Sequence, residues 1–525
     1  MHRFFKTICI VYLAFVVAIT FSPTYILFLA CFVILLMLAL LIERRNKENS
    51  LSTAIRNDSI ADGNNYKSKT KEKLFPVAYG LTVFCLSSVY WLAFYPGGFN
   101  LDAYGQWLQA HHLMPYQDWH PFISTILLEL VVKLKDSFEF YIVLQILAFS
   151  IATAYMLFCF QKAGINQHLL LIVALFIGIN PAVGLNTVCL TKDAQFTIVC
   201  ILLTGITIRI ITTNGSWFVS TIHLVTLSIL CSLAVLVRHN GFLFVVPMIL
   251  LFIMSYPALY KKILGSILCM LILVLAVKGP IQLMMNVEKH ENVLGEITGI
   301  PMGMMANALV EDADHLPEET HLFLNEIADD TMWRKKYVLG EWDSCRWFFG
   351  GEDLLKEYNL VDIIRYTTET IINCPQACYS SFRENTRMVW SIYNAKEYWI
   401  PNVYVENNDF GIKSSPNEFF KSIVEGQIEL TMKPVVSSFF WNIGLLLVLA
   451  ILSWLGVKKA AKMNLLLLFF PYFTYMIGTM FLLSGPNQRY FYSGEVILPV
   501  GILFMCSIFD YPILMKRELC QKDQI

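Results

Sequence analysis

The stretch YPGGFNLDAYGQWLQAHHLMPYQDWHPFI, from Tyr95 to Ile123, joins two apolar segments but is rich in polar groups. It contains Asp102, Asp118, His120 and the pair His111–His112. A Pro-Gly-Gly turn opens it and a His-Pro step lies near its end. Loops that concentrate titratable and aromatic side chains are typical of binding and catalytic sites. We therefore predict that this stretch forms the first wall of an active site at a membrane surface.

The composition of the whole chain indicates a polytopic membrane protein. Hydrophobic residues make up 56% of the 525 residues and charged residues only 15%, whereas soluble proteins carry about 25% charged residues. Apolar runs of about 18–23 residues, long enough to cross a hydrocarbon core of about 30 Å, recur along the chain. We predict twelve spans, at 4–21, 23–42, 75–96, 138–160, 168–190, 194–213, 217–237, 241–258, 262–280, 436–456, 464–484 and 491–510.

The distribution of Lys and Arg predicts the orientation of these spans, because basic loops stay on the cytoplasmic side. The 43–73 loop carries eight basic residues, and further clusters lie at 261–262, 458–462 and 516–517. All of them are cytoplasmic if both termini are inside the cell. The segment 281–435 is then extracytoplasmic, and it carries 25 acidic and 13 basic residues.

The predicted fold class is all-α: a membrane helix bundle of about twelve spans with a mostly helical extracytoplasmic segment. The first apolar run is not followed by a small-residue cleavage site, which favours a retained membrane helix over a signal peptide. The predicted parts are an N-terminal membrane hairpin (1–42), a basic cytoplasmic loop (43–74), a membrane core (75–280) with the first outer loop (97–137), an extracytoplasmic domain (281–435), and C-terminal membrane helices with a short cytoplasmic tail (436–525).

Two regions outside the predicted spans complete this layout. The run from Phe122 to Leu134 is apolar but only about 13 residues long, too short to span, so we expect a helix on the outer membrane surface. Cys345, Cys374 and Cys378 lie in the polar segment, and the sequence leaves a disulfide among them open.

Three short outer turns carry charged side chains at the ends of predicted spans. Terminal Lys and Arg side chains often extend to lipid head groups without any further role. Basic residues are depleted on the outer side, however, and three basic turns together predict a pocket for a phosphate group. The side chains are Lys192 and Asp193 in LTKDAQF, Arg238 and His239 in LVRHNGF, and Arg489 and Tyr490 in SGPNQRYFY.

The three histidines of the first outer loop are not equally good candidates for a functional role. His111 and His112 are adjacent and cannot both face one site on a regular helix, and their spacing matches no zinc pattern. His120, directly before Pro121, is the stronger candidate. We predict Asp102, Asp118 and His120 as catalytic residues, because carboxylates and imidazoles carry out acid–base steps.

These motifs resemble those of the GT-C superfamily, membrane glycosyltransferases that take sugar from a polyprenyl-phosphate carrier. YPGGFNLDAYGQW is similar to the acidic first-loop motif, and DWHPFISTILLEL to the entry of the juxtamembrane helix. LTKDAQF resembles the second acidic motif and PNQRYFY a late Arg-Tyr element. With RHNG, these elements are closest to a little-characterised bacterial branch of that superfamily. The resemblance covers most of 75–280 and 436–510.

The resemblance implies that Asp102 is the catalytic carboxylate and that Lys192, Arg238 and Arg489 hold the carrier phosphate. Several GT-C branches have two acidic residues in the first loop, whereas this chain reads Asn100-Leu101-Asp102. A single carboxylate favours base catalysis in an inverting transfer over an essential metal, although a divalent metal stays open. No other cofactor is expected.

The resulting hypothesis is a cell-membrane glycosyltransferase that acts on a cell-envelope acceptor at the outer face. Its predicted partners are a polyprenyl-phosphate-linked sugar donor and membrane lipid, with no nucleic acid, and the acceptor is not identified. A surface-polysaccharide polymerase or ligase would share the outer basic residues. A lipid-glycan transporter is a third alternative. Such proteins often show inverted repeats and charges deep within spans. This sequence shows no repeat, and its charges lie at the ends of the predicted spans.

Overall fold

A computed structural model describes residues 2–35, 74–289, 293–346, 358–393, 395–396, 399–457, 462–482 and 485–507. Over these ranges the regular structure is helical, accompanied by four isolated β-bridges and no strand. The all-α prediction is therefore confirmed for the described residues. The predicted basic loop 43–73, the end of the second span, the basic residues 458–459 and the C-terminal tail lie outside them.

The described residues of the first half of the chain are mostly helical. Their bounds are α1 (His2–Phe21), α2 (Tyr25–Leu35), α3 (Leu74–Ala93), α4 (Leu101–Ala110), α5 (Phe122–Leu134), α6 (Phe138–Lys162), α7 (Gln167–Ile179), α8 (Pro181–Thr187), α9 (Lys192–Thr212), α10 (Thr221–Leu236), α11 (Phe242–Ser255) and α12 (Tyr260–Ala276).

The second half is more interrupted. Its main helices are α13 (Gly299–Glu311), α14 (Glu318–Ile327), α15 (Asp330–Lys336), α16 (Leu360–Asn373), α17 (Pro375–Trp390), α18 (Glu418–Met432), α19 (Ile443–Gly456), α20 (Phe470–Met480) and α21 (Tyr492–Ser507). Shorter helical turns along the chain are Ser216–Val219, His239–Gly241, Pro257–Leu259, Val277–Ile281, Gln282–Met284, Val293–Ile297, Ala313–His315, Asp343–Arg346, Ser437–Phe440, Lys462–Leu466 and Gln488–Tyr490.

Six described helical segments are long and apolar enough to cross a membrane. They are Phe4–Phe21, Leu74–Ala93, Phe138–Lys162, Lys192–Thr212, Pro257–Met284 and Met463–Met480. The pair α7 and α8, bent by 63°, is a seventh candidate. The structure thus supports a helical membrane protein. The predicted number of twelve spans is not established, because the remaining apolar helices contain only 10–17 described residues.

The bend between α7 and α8 follows from two adjacent residues. Pro181 is the first residue of α8, where its missing N–H costs nothing, but it interrupts the hydrogen bonding of a helix that arrives from α7. The Asn180 side chain accepts a hydrogen bond from the backbone N–H of Ala182 at 3.0 Å and caps the new helix. The predicted span 168–190 is therefore broken, with its second half leading towards the start of α9.

The chain forms two compact units. One comprises residues 1–75, 290–393 and 478–487, and the other residues 76–289, 394–477 and 488–525. The boundaries of the predicted parts follow changes in hydropathy, whereas these units follow contacts between residues. The predicted boundaries therefore stay predictions.

In the first unit, α1 packs along α17. The Tyr12 hydroxyl donates to the Val389 carbonyl at 3.2 Å, and Arg383 Nε donates to the Ile19 carbonyl at 3.1 Å. The N-terminal helix is therefore an integral part of this unit. Its core includes the stacked Trp333 and Trp342, and Cys345, Cys374 and Cys378 are all buried free thiols.

In the second unit, α3, α4, α5, α6, α8 and α18 contribute to a core that includes Phe99, Trp107, Phe138 and Trp441. Helix α5 has the bounds predicted from the sequence. It buries Phe122 and Leu128 and exposes Leu127, Leu130 and Leu134. Its helical structure and its length are confirmed, whereas its position on a membrane surface stays a prediction.

Candidate functional site

The first outer loop is tied to the connection between α8 and α9. Gly98 N–H donates to the Val188 carbonyl at 2.9 Å, and Leu190 N–H donates to the Gly98 carbonyl at 3.1 Å. A Cβ atom at Gly98 would lie 2.3 Å from Cys189 Sγ, so any larger residue would have to displace that side chain. Two segments about 90 residues apart in the chain are thereby brought side by side.

Each of these segments runs directly into a capped helix. The Asn100 side chain accepts from Ala103 N–H at 3.0 Å and caps α4, which places Asp102 in the first helical turn. Thr191 caps α9 in the same way, which places Asp193 in its first turn. The positive end of a helix stabilises a carboxylate in that position.

Four side chains form a row of alternating charge: Asp102, Arg489, Asp193 and Arg238. Arg489 Nη1 lies 2.8 Å from Asp102 Oδ2, and Arg489 Nε lies 3.8 Å from Asp193 Oδ2. Arg238 forms a direct ion pair with Asp193. The Asp193 and Arg238 side chains are only 2% and 6% exposed, whereas those of Asp102 and Arg489 are 37% and 25% exposed.

Tyr490 connects the two arginines. Each guanidinium carbon lies 5.1 Å from the centre of its ring, a cation–π arrangement. Arg489 Nη2 also donates to the Tyr490 hydroxyl at 3.3 Å. The turn Gln488–Tyr490 thus supplies both a cation of the row and the aromatic surface that holds the second cation.

The charges around Asp102 control its ionisation. Burial raises the pKa of its carboxyl group, but the charges of Arg489, His120 and Lys192 and the hydrogen bond from Arg489 outweigh this effect and lower the pKa to about 2. Burial and the charge of Lys192 lower the pKa of His120 to about 3. His120 Nε2 lies 3.9 Å from Asp102 Oδ1. At neutral pH, Asp102 is therefore anionic and His120 neutral.

A second wall of the site is formed by Asp118 and His239. His239 Nε2 lies 2.9 Å from the backbone carbonyl of Asp118, and Gln282 Nε2 donates to Asp118 Oδ1 at 3.3 Å. Burial is the main influence on His239, and it lowers its pKa. This wall joins the first outer loop to the ends of α10 and α12.

The structure brings together all nine side chains singled out from the sequence, within the second unit. Their catalytic and binding roles stay predictions. His111 and His112 point elsewhere: His111 Nε2 lies 2.9 Å from Asp136, and His112 Nε2 lies 3.3 Å from Glu129.

Sequence reasoning missed a segment that covers the start of α4. Phe99 N–H donates to the Tyr404 carbonyl at 2.9 Å, and Glu406 N–H donates to the Phe99 carbonyl at 2.7 Å. Tyr404 is 40% exposed; burial and the charge of Glu406 raise the pKa of its hydroxyl, Asp102 adds to this rise and Arg489 opposes it. No local pattern predicts this pairing, because it joins positions about 300 residues apart.

A second group missed by the sequence lies behind Arg489. The fully buried Glu495 accepts hydrogen bonds from Gln488 Nε2 at 3.3 Å and from Asn180 Nδ2 at 3.4 Å. These contacts link α21, the turn that carries Arg489 and the bend before α8. A single acidic residue within an apolar run, SGEVILPVG, is the signal that could have drawn attention to it.

The residues of the site fit a divalent metal poorly. Within the described part of the chain, no three or more His, Cys, Asp or Glu side chains are grouped to hold a metal ion. Asp102 and Asp193 both face arginine guanidinium groups. The three cations Lys192, Arg238 and Arg489 suit an anionic ligand better.

The comparisons with known proteins leave the activity open. Residues 84–345 match the model of a family that is described as a family of unknown function, DUF6020. The matched region includes Asp102 and Arg238 but ends before Arg489. No curated protein and no solved structure matches the chain.

Proposed function

We propose that the protein is a membrane glycosyltransferase of GT-C type that transfers a sugar from a polyprenyl-phosphate carrier to a cell-envelope acceptor on the outer face. The observation that carries this proposal is the convergence of Asp102 with Lys192, Arg238 and Arg489 at helix ends. A carboxylate beside several cations suits a reaction in which a base acts next to a leaving phosphate.

The proposed step is a single displacement at the anomeric carbon. The acceptor hydroxyl oxygen attacks that carbon and its proton passes to Asp102. The bond from the anomeric carbon to the carrier phosphate breaks, and its electron pair stays on the phosphate oxygen. Arg489 and Lys192 stabilise the charge that develops there. Arg238 forms an ion pair with Asp193, and this buried pair stabilises the position of the neighbouring Arg489.

Replacement of Asp102 tests the proposal. Asp102→Asn keeps the size of the side chain and removes its basicity, so we expect transfer to fall by at least about 100-fold, the usual contribution of a general base. The measurement is transfer of labelled sugar from a polyprenyl-phosphate donor in membranes that contain the protein, with an extract of the cell envelope as acceptor source.

The matched control is Asp136→Asn, which changes a carboxylate of the same loop that is 65% exposed and pairs with His111. It is expected to retain full transfer. Full transfer by Asp102→Asn would contradict the catalytic assignment. A ladder of long products would favour a polymerase, and flux of a lipid-linked glycan without a covalent product would favour a transporter.

A further inference from the structure

Arg489 is shared between two carboxylates that differ in their other partners. Its Nη1 binds Asp102 at 2.8 Å and its Nε faces Asp193 at 3.8 Å. Asp193 is buried and has a second cation, Arg238, in direct contact. Asp102 is 37% exposed; its neighbour His120 is neutral at physiological pH, and the charge of Lys192 acts on Asp102 in addition to that of Arg489. Of the two contacts, the one to Asp102 is the easier to exchange.

The energetics of the two contacts support this distinction. An ion pair with access to water contributes about 0–1 kcal/mol, because water replaces the lost partner. Separation of a buried pair costs several kcal/mol, because both charges stay in a medium of low dielectric constant. An anion that enters from the exposed side therefore displaces Asp102 at small cost and leaves the Asp193–Arg238 pair in place.

We propose that Arg489 is an exchangeable clamp, on which the phosphate of the incoming lipid carrier replaces the Asp102 carboxylate. The inference rests on the proposed function, since it assigns the order of events at the same site. The planar guanidinium group offers two parallel N–H donors, which match a phosphate as well as a carboxylate. Binding of the carrier then releases Asp102.

The exchange would resolve a difficulty in the resting site. A carboxylate with a pKa of about 2 is a weak base, and proton transfer is most efficient when the pKa of the base lies closer to the working pH. Once Arg489 is engaged by phosphate, Asp102 loses its strongest counter-charge while its burial remains. Its basicity rises only when the donor is bound, which couples donor binding to activation of the acceptor.

The test is a binding measurement that needs no sugar transfer. The full chain is placed in lipid nanodiscs and titrated with a fluorescent short-chain polyprenyl phosphate. Removal of the competing charge in Asp102→Asn is expected to tighten binding by up to about fivefold, or about 1 kcal/mol. Arg489→Gln is expected to weaken binding by at least about tenfold, or about 1.4 kcal/mol.

A double variant separates the clamp from a general effect of charge. If Asp102 competes for Arg489, Asp102→Asn gives no gain in affinity in the Arg489→Gln background. An equal gain in both backgrounds, or unchanged or weaker binding by Asp102→Asn alone, overturns the clamp. Absence of binding by the unsubstituted protein overturns both the clamp and the proposed donor. Binding with the expected pattern but without sugar transfer overturns the proposed function alone.

Discussion

Two ion pairs lie next to each other in the second unit and differ in almost every physical respect. Asp193 and Arg238 are buried, and the arginine is surrounded by the rings of Phe196, Tyr475 and Tyr490. Asp102 and Arg489 remain partly open to solvent. An anion from solvent can therefore reach the Asp102–Arg489 pair, whereas the Asp193–Arg238 pair is shielded from solvent.

The largest expected effect concerns the buried pair. Arg238→Ala leaves the Asp193 carboxylate without its main partner in a buried position, so we expect a loss of about 3–5 kcal/mol in the free energy of unfolding. Asp102→Ala should cost no more than about 1 kcal/mol. Unfolding by denaturant in detergent measures both. Equal losses for the two variants would remove the distinction between the pairs.

A second experiment disturbs the close approach of Gly98 to the connection between α8 and α9, on which the arrangement of the two pairs depends. In Gly98→Ala the new methyl group meets Cys189 Sγ at 2.3 Å, and such overpacking costs about 1–3 kcal/mol. Removal of that sulfur in the double variant Gly98→Ala/Cys189→Ala should recover part of the loss. The same unfolding measurement applies, and the absence of any recovery would show that another contact opposes the methyl group.

Much of the site could be predicted from the sequence because its residues occupy short polar motifs at the ends of apolar runs. Lys192, Arg238 and Arg489 were placed on one side by counting spans and basic loops. The choice of ion-pair partners could not be predicted, because no local sequence pattern indicates that Arg489 pairs with Asp102 and Arg238 with Asp193. That choice depends on the tertiary approach of Gly98 to Val188 and on the position of the Gln488–Tyr490 turn.

The parts of the fold that escaped prediction share the same cause. The contact of Tyr404 with Phe99 and the packing of α1 along α17 both join distant segments of the chain. The break at Asn180–Pro181 has a local signal, but hydropathy alone passes over it. Helix α5 has the predicted bounds because the helix coincides with the apolar run from Phe122 to Leu134.

The dependence of stability on pH tests the environment beside the open pair. The pKa of His120 falls from 6.5 in an unstructured chain to about 3 in the folded protein. Between about pH 3 and pH 6.5 the unfolded chain therefore binds a proton that the folded protein does not. A change from pH 7 to pH 5 should lower the free energy of unfolding by about 2 kcal/mol through this residue.

In His120→Gln that contribution disappears, so the variant should lose less stability than the unsubstituted protein over the same interval. Thermal unfolding at the two pH values provides the comparison. The same loss in both proteins would mean that His120 is charged or exposed in the folded state.

The smallest expected effects compare the two caps that present the carboxylates. Asn100→Ala removes the cap of α4, and Thr191→Ala removes that of α9; each loss should cost about 1 kcal/mol. Asn100→Asp, which keeps an acceptor oxygen, should be close to neutral. Hydrogen exchange at the first turns reports whether each change remains local, and protection unaltered by Asn100→Ala would argue against a capping role.

The separation of 387 residues between Asp102 and Arg489 has a consequence for biosynthesis. At a translation rate of roughly 5–20 residues per second, the ribosome needs about 20–80 s to progress from the first residue to the second. During that interval the nascent chain has the Asp102 carboxylate without its arginine partner. Under the proposed function, transfer could begin only after the Gln488–Tyr490 turn has been synthesised and has reached α4, so a chain that stalls before this turn would be inactive.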